Sequence, residues 1–275
     1  MAENTWATAS PALSQEWLPA LDIPEPGDQR RLTVLLRWLL LIPHFVVLWL
    51  LSIVAFFVAV IGWFGALVTG RLPEFAAQYL TGYLGYSTRV AASAMLLVDV
   101  YPPFALDTPL DYPVQIEVRP GTLNRLAVFF RLILMIPAAI VANLLTTGWY
   151  ALSWIFWLIV LVLGRMPGPV FEATSAVVRY GMRLSAYGSM LSSAYPKRVF
   201  GDETAAAAAT AVGQAPVSAT RPLLLSPGGK FLVVLFLLLG LLGGVFGSFG
   251  TGSGSSTTTT SGAAQVGADR SVFPG

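Results

Sequence analysis

Three long stretches of the chain carry no charge: none lies between Arg37 and Arg71, between Arg131 and Arg165, or between Lys230 and Asp269. The first two gaps hold 33 residues each, mostly Leu, Ile, Val, Phe and Trp. An apolar run beyond about 18 residues is a candidate membrane span, because about 20 residues of helix cross the hydrocarbon core. Three such runs exceed what a soluble domain of this size can bury. The pattern predicts helices over about 44–69, over the matching part of the second run, and over Phe231–Phe249, an apolar stretch of 19 residues behind Lys230.

Between these runs the periodicity changes. Val114-Gln115-Ile116-Glu117-Val118 alternates as a half-buried strand does, and Leu18–Ile23 is its weaker counterpart. Prolines bracket both, so any sheet is expected to be small and to lie at the water interface. Residues 28–42 carry Arg31 and Arg37 and stop at Pro43, which predicts an interfacial amphipathic turn whose arginines snorkel to headgroups. Residues 74–98 and 168–193 hold small and polar positions at helical spacing: Glu74, Gln78, Thr81, Gly85 and Thr88, then Glu172, Ser175, Arg179, Arg183 and Ser189. Such helices lie in the interface or turn their polar stripe inward in a bundle.

The two halves are copies. A shift of 94 residues lays Arg31, Arg37 and Pro43 on Arg125, Arg131 and Pro137, and Gly70-Arg71-Leu72-Pro73 on Gly164-Arg165-Met166-Pro167. It also lays Arg89 on Arg183 and Tyr101-Pro102 on Tyr195-Pro196. Roughly 26 of 87 positions match without a gap, and repeated Arg, Pro and Gly cannot come from apolar composition alone. The run from Arg31 to His44, then Gly70 to Pro73, Ser87 to Val90 and Tyr101 to Phe104, resembles the bacterial domain of unknown function DUF4389, in two copies over about 17–201. The second copy departs from the pattern, with Ala138 for His44, Gly181-Met182 for the Ser-Thr, and Lys197-Arg198 for Pro103-Phe104. The resemblance implies a membrane location and a repeat, and brings no activity with it.

The organisation expected is a disordered tail over 1–16, a first membrane repeat over 17–107 and a second over 111–201. A flexible linker over 202–229, a transmembrane helix over 230–249 and a disordered Gly/Ser/Thr-rich tail over 250–275 follow. The fold class is an all-α integral membrane protein: a tandem duplicated helical unit with short interfacial β-strands, plus a C-terminal single transmembrane helix. A helix of 33 residues extends about 50 Å against about 30 Å of hydrocarbon. Each repeat therefore either crosses and returns or enters and leaves on the same side. The same-side topology puts 15 of the 16 cationic residues on one face, as the positive-inside rule favours. Its short arms tip the expectation toward crossing. Under either topology the repeats share one orientation, related by an axis along the membrane normal. The location expected is the cytoplasmic membrane, multi-pass, with the N-terminus inside and the tail outside; no cleavable signal precedes residue 30.

Composition narrows the chemistry. Charged residues make up 11% and hydrophobic ones 55%, cysteine is absent, and the net charge is +2 with scattered cations. Disulfides, thiolate metal sites and nucleic-acid binding are excluded on that basis. Phosphate loops, nucleophile elbows and paired carboxylates are missing, so no catalytic, cofactor or metal residues are expected. His44, the single histidine, reads as an interfacial polar residue beside a kink. Arg37, Arg71, Arg89, Arg131, Arg165 and Arg183 are the candidate interfacial or ligand-contacting residues, since ionisable groups at membrane depth point to function. Asp99, Glu74, Glu172 or lipid phosphates are the expected partners of Arg89 and Arg183. Pro43, Gly70, Pro73, Pro137, Gly164 and Pro167 are kink or turn positions. Gly240, Gly243, Gly244 and Gly247 form overlapping small-xxx-small pairs that permit helix packing. The expected role is a non-catalytic scaffold or accessory subunit, with the lipid bilayer, other membrane proteins or a second copy as partners. The competing expectation is a small transporter, channel subunit or lipid-binding protein with its site between the repeats.

Overall fold

A computed structural model describes residues 17–202 and 218–250. The tails expected at 1–16 and after 250, and positions 203–217 of the expected linker, lie outside the described residues. Strand β1 (Ala20–Asp22) precedes helices α1 (Arg31–Thr69) and α2 (Glu74–Ala94); strand β2 (Gln115–Glu117) precedes α3 (Arg125–Phe129), α4 (Arg131–Leu163) and α5 (Gly168–Gly188). Helix α6 (Pro227–Gly250) closes the described chain. Three helices, α1, α4 and α6, are long and apolar enough to cross a membrane.

The repeated motifs act as helix punctuation. Gly70 and Gly164 hold φ of 73° and 72° and close α1 and α4, donating their N–H groups to Ala66 and Val160. That left-handed conformation is cheap only for glycine. Pro73 and Pro167 are the N-cap residues that start α2 and α5 on the return path. The prolines at 43 and 137 do not end their helices. Each lies inside one, so residues 31–42 of the expected separate turn over 28–42 are instead the first part of the continuous α1. Pro43 cannot donate to the Leu39 carbonyl, and the next carbonyl, Leu40, accepts the Tyr101 hydroxyl at 3.1 Å.

The two copies are joined by a pseudo-twofold axis, visible in matched pairs of contacts. The strands pair antiparallel, with Leu21 opposite Ile116 and Asp22 opposite Gln115. Gln29 N–H donates to Gly164 O at 2.6 Å, and its twin Leu123 N–H donates to Gly70 O at 2.9 Å. Trp157 Nε1 donates to Val34 O at 2.9 Å, and Trp63 Nε1 to Val128 O at 3.0 Å. The start of each long helix is thereby fixed to the end of the other, so α1 and α4 run antiparallel.

Helices α2 and α5 form the inner layer. Ile116 of β2 lies against Gly85, and Leu106 against Gly82, so the sheet and the loop before it cover the middle of α2. On the outside, α1 leaves Leu32, Trp49, Phe56, Phe64 and Val68 exposed, and α4 leaves Leu132, Ile133, Trp154 and Val162 exposed. A soluble monomer rarely shows a continuous apolar face of this length.

Helix α6 runs along α4 and meets α5. A Cβ at Gly148 would collide with the Phe236 backbone, and one at Gly240 with that of Leu144. The described residues of the stretch expected as linker are bonded to the rest of the chain. Asp202 N–H bonds Leu223 O, Thr220 bonds Ile23 N–H and Leu21 O, Ser226 bonds Glu172, and 227–229 already belong to α6.

Candidate functional site

The most distinctive chemistry of the chain is a set of buried guanidinium groups at equivalent places in the two repeats. Arg37 is 3% exposed and reaches from α1 to the C-terminal end of α2. There it donates to Ser93 O (3.3 Å), Ser93 Oγ (3.1 Å) and Val98 O (2.6 Å), and also to Gln29 Oε1 and Asp99 Oδ1, both at 3.2 Å. Its twin Arg131, also 3% exposed, donates to Tyr187 O and Ser192 O and stacks over the Tyr187 ring at 4.3 Å. Both side chains clamp the turn that ends a helix, sharing Ser93 O and Tyr187 O with the Leu96 and Met190 N–H groups, and both put positive charge at the negative end of its dipole. Leu96 and Met190, at φ of 63° and 62°, turn the chain away there.

Arg89 and Arg183 occupy the opposite side of the inner helices. Arg89 donates to Thr108 Oγ1 at 2.6 Å and to Ala105 O, beneath the loop that leads to β2. Arg183 donates to Pro19 O at 3.0 Å and Lys197 O at 3.1 Å, with Asp202 at 3.8 Å. Arg179 pairs with Asp202 and donates to Arg198 O at 3.0 Å. The expected partners of these two arginines are therefore replaced. Asp99 is engaged by Arg37 and Arg30, Glu172 accepts from Ser226, and Glu74 is exposed; loop carbonyls and Asp202 take their place. Burial pushes the Tyr112 phenol up to about 12, against the opposing pull of Arg89 and Arg37.

Other expected positions fall apart from this network. Arg71 and Arg165 are exposed at the two turns, bridged to Thr122 and Asp28. His44, expected as an interfacial polar residue, is enclosed by protein: it is fully buried, with Nδ1 2.6 Å from the Tyr86 hydroxyl and its ring stacked 3.9 Å from Phe104. Gly240 is used within the chain against α4, and Gly243 lies by Thr147, so that face of α6 is not left whole for a second copy. A Cβ at Gly244 would point into open space, and Gly247 lies in the last turns of α6. Among the described residues no group of His, Cys, Asp or Glu is arranged to hold a metal ion.

Sequence reasoning missed a cleft between α1 and α4. It measures about 410 Å³ and is lined by Leu35, Trp38, Trp149, Ser153, Trp154 and Trp157, with Ala94 and Leu96 behind. Four of the eight tryptophans meet there. The spacing of Trp149, Trp154 and Trp157 on one helix was the available signal. Asp202 was missed because it sits at the start of a compositionally flexible segment.

The model of DUF4389, a domain of unknown function, matches residues 31–105 and 125–199. The chain belongs to this family. Comparison with curated proteins and with solved structures found no match. The DUF4389 matches begin at the first residues of α1 and α3, so the strands lie ahead of each matched segment. The buried arginines and both glycine turns lie within them.

Proposed function

We propose that this DUF4389 chain is a non-catalytic scaffold of the cytoplasmic membrane. Both of its repeats embed from the cytoplasmic side, with α1 and α4 lying along the lipid and the sheet facing water. The observation that carries this reading is the pair of bonds from Gln29 to Gly164 and from Leu123 to Gly70. If each repeat crossed and returned, residue 70 would lie a bilayer away from residue 123. An inverted arrangement fares no better. The non-helical stretch 95–124, with Asp99, Asp107, Asp111, Glu117 and Arg119, would then have to traverse hydrocarbon. Irregular backbone and charge at that depth are strongly disfavoured.

With the twofold axis along the membrane normal, the arginines at the ends of α1 and α4 share one depth and the exposed apolar faces meet acyl chains. Each Leu, Val or Phe side chain moved fully from water contributes about 1.5–3 kcal/mol. Helix α6, which runs along α4, adds its apolar residues Phe231, Leu238 and Leu241 to the same embedded layer. The paired strands and segment 218–226 form the platform that partners meet.

The chain is free of cysteine, which makes a direct test possible. Gly27, Gly121 and Gly168 have room for a side chain, and Glu74 is exposed. Single cysteines at these four positions should all react with a membrane-impermeant thiol reagent in inside-out vesicles, and none in intact cells. Labelling of 74 or 168 from outside overturns the one-sided embedding. Recovery of a reproducible partner from native membranes tests the scaffold role, and a chain that purifies alone counts against it.

A further inference from the structure

The tryptophan cleft opens on the apolar face of α1 and α4. Its walls are partly exposed: Leu35 by 50%, Trp38 by 44% and Trp154 by 76%. Trp149 forms the floor at 1% exposure, held by a 3.0 Å bond from its Nε1 to Thr174 Oγ1. Trp157 is fixed across the repeat boundary by its bond to Val34 O. The cleft is therefore rigid, apolar and formed by both repeats, within the size range of about 300–1,000 Å³ typical of small-molecule pockets.

Positive charge collects at one end. Arg31, Leu35 and Trp38 are successive positions of one helical stripe. Arg31 reaches across to Val162 O at 3.2 Å, beside the Gly164-Arg165 turn. The carboxylates nearby, Asp28 and Asp99, are outnumbered: Asp99 is engaged by Arg30 and Arg37, and Asp28 bridges through its backbone to Arg165. At the related position across the twofold axis, Trp149, Ser153 and Trp154 are replaced by Ala55, Ala59 and Val60. The tryptophan cleft is a property of one end of the molecule.

We propose that this cleft holds one anionic phospholipid, with an acyl chain against the tryptophans and the phosphate at Arg31 and Arg165. The site rests on the one-sided embedding, which puts the cleft against acyl chains and those arginines at headgroup depth. Aromatic walls supply apolar area at little entropic cost, and an arginine fork suits a phosphate oxygen pair.

The test uses the purified full chain in detergent micelles, titrated with phosphatidylglycerol brominated in mid-chain, with quenching of tryptophan fluorescence as readout. Quenching should saturate near one lipid per chain, and brominated phosphatidylcholine should bind about five-fold more weakly. Arg31→Gln should remove that headgroup preference, while Arg125→Gln, at the related position, should leave it intact. Trp154→Val should reduce saturable quenching and keep the fold, because the side chain is exposed. Glycerol phosphate without an acyl chain should not compete. Three outcomes overturn the site: non-saturating quenching indifferent to headgroup, equal loss from Arg31→Gln and Arg125→Gln, or full competition by glycerol phosphate. Thiol labelling reads the embedding separately. Saturable lipid binding with residue 74 labelled from outside keeps a lipid site and rejects the embedding; one-sided labelling with indifferent quenching does the reverse.

Discussion

The first and second repeats solve one problem with different charges. Arg37 and Arg131 grip the same two backbone carbonyls, those of Ser93 and Val98 in one copy and of Tyr187 and Ser192 in the other. Only the first adds a carboxylate, Asp99, whose twin is Ser193. On the far side of the inner helices the inequality reverses. Arg89 meets Thr108, while Arg183 shares Asp202 with Arg179, at a position where the first copy has Gly85. What both copies keep is the bond from guanidinium to carbonyl. Holding the C-terminal ends of α2 and α5 is thus the common task, and the carboxylates are local adjustments that offset part of the positive charge at one site per repeat.

The sharpest way to break this comparison is to remove the two equivalent arginines. Arg37→Met leaves Asp99 and Gln29 without their buried partner and should cost about 3–5 kcal/mol, the usual penalty for breaking a buried pair. Arg131→Met removes only bonds to carbonyls, of which Tyr187 O keeps the Met190 N–H, and should cost about 1–3 kcal/mol. Thermal unfolding in detergent, followed by circular dichroism, measures both. Equal losses would mean that Asp99 adds nothing and that the repeats are energetically alike.

A second contrast concerns α6, which packs on the second copy alone. Gly148 admits the Phe236 backbone, and its twin is Val54. Gly148→Val should lift α6 from α4 at a cost of about 1–3 kcal/mol or more. A Cβ at Gly243 would lie 3.4 Å from Thr147 Cγ2. A cysteine pair at 147 and 243 should therefore oxidise readily in the parent chain, since Cγ2 stands where the sulfur of a cysteine at 147 would lie, within reach of the side chain at 243. With Gly148→Val added, the cross-link should fail. If it still forms, the groove is not what seats α6.

Restoring symmetry should have a smaller effect. Ser193→Asp places a carboxylate where Asp99 stands in the first copy. Because Ser193 is exposed, the gain should stay below about 1 kcal/mol. No gain at all would mean that the Asp99 geometry depends on its bond from Thr33, 2.6 Å long, which Ala127 cannot reproduce.

How much of this was legible follows from what each feature depends on. The turns were readable because Gly-Arg-x-Pro carries its own backbone geometry: Gly70 and Gly164 fall in the left-handed region for a local reason. The strands were readable from alternation, although their pairing across the repeats was not, because register is a property of two segments at once. Burial misled at His44. One polar residue after a proline looks interfacial until Tyr86 and Phe104, 42 and 60 positions later, enclose it. The antiparallel placing of α1 and α4 left no local trace either. It rests on contacts such as Trp157 to Val34, 123 residues apart.

The smallest expected effect lies at the sheet, where the repeats also differ. Glu117 of the second copy corresponds to the buried Ile23 of the first. Its carboxyl bonds Arg119 and takes Arg221 Nη2 at 2.6 Å, which ties segment 218–226 to the strands. Arg119, with further help from Arg221, holds this carboxyl below its usual range. A folded-state pKa depressed in this way contributes stability above the unfolded value of about 4.3–4.5, lost as pH falls through the lower folded value. The pair is about a third exposed, so screening reduces the effect to a fraction of a kcal/mol. Amide exchange at Ile23, whose N–H bonds Thr220 Oγ1 at 2.8 Å, reads the attachment directly. Exchange there should quicken between about pH 4.5 and 3, relative to the intrinsic rate, and Arg221→Gln should flatten that response. An Ile23 amide insensitive to acid would mean that the other bonds of the segment, such as those of Thr220 and Leu223, hold it without Glu117.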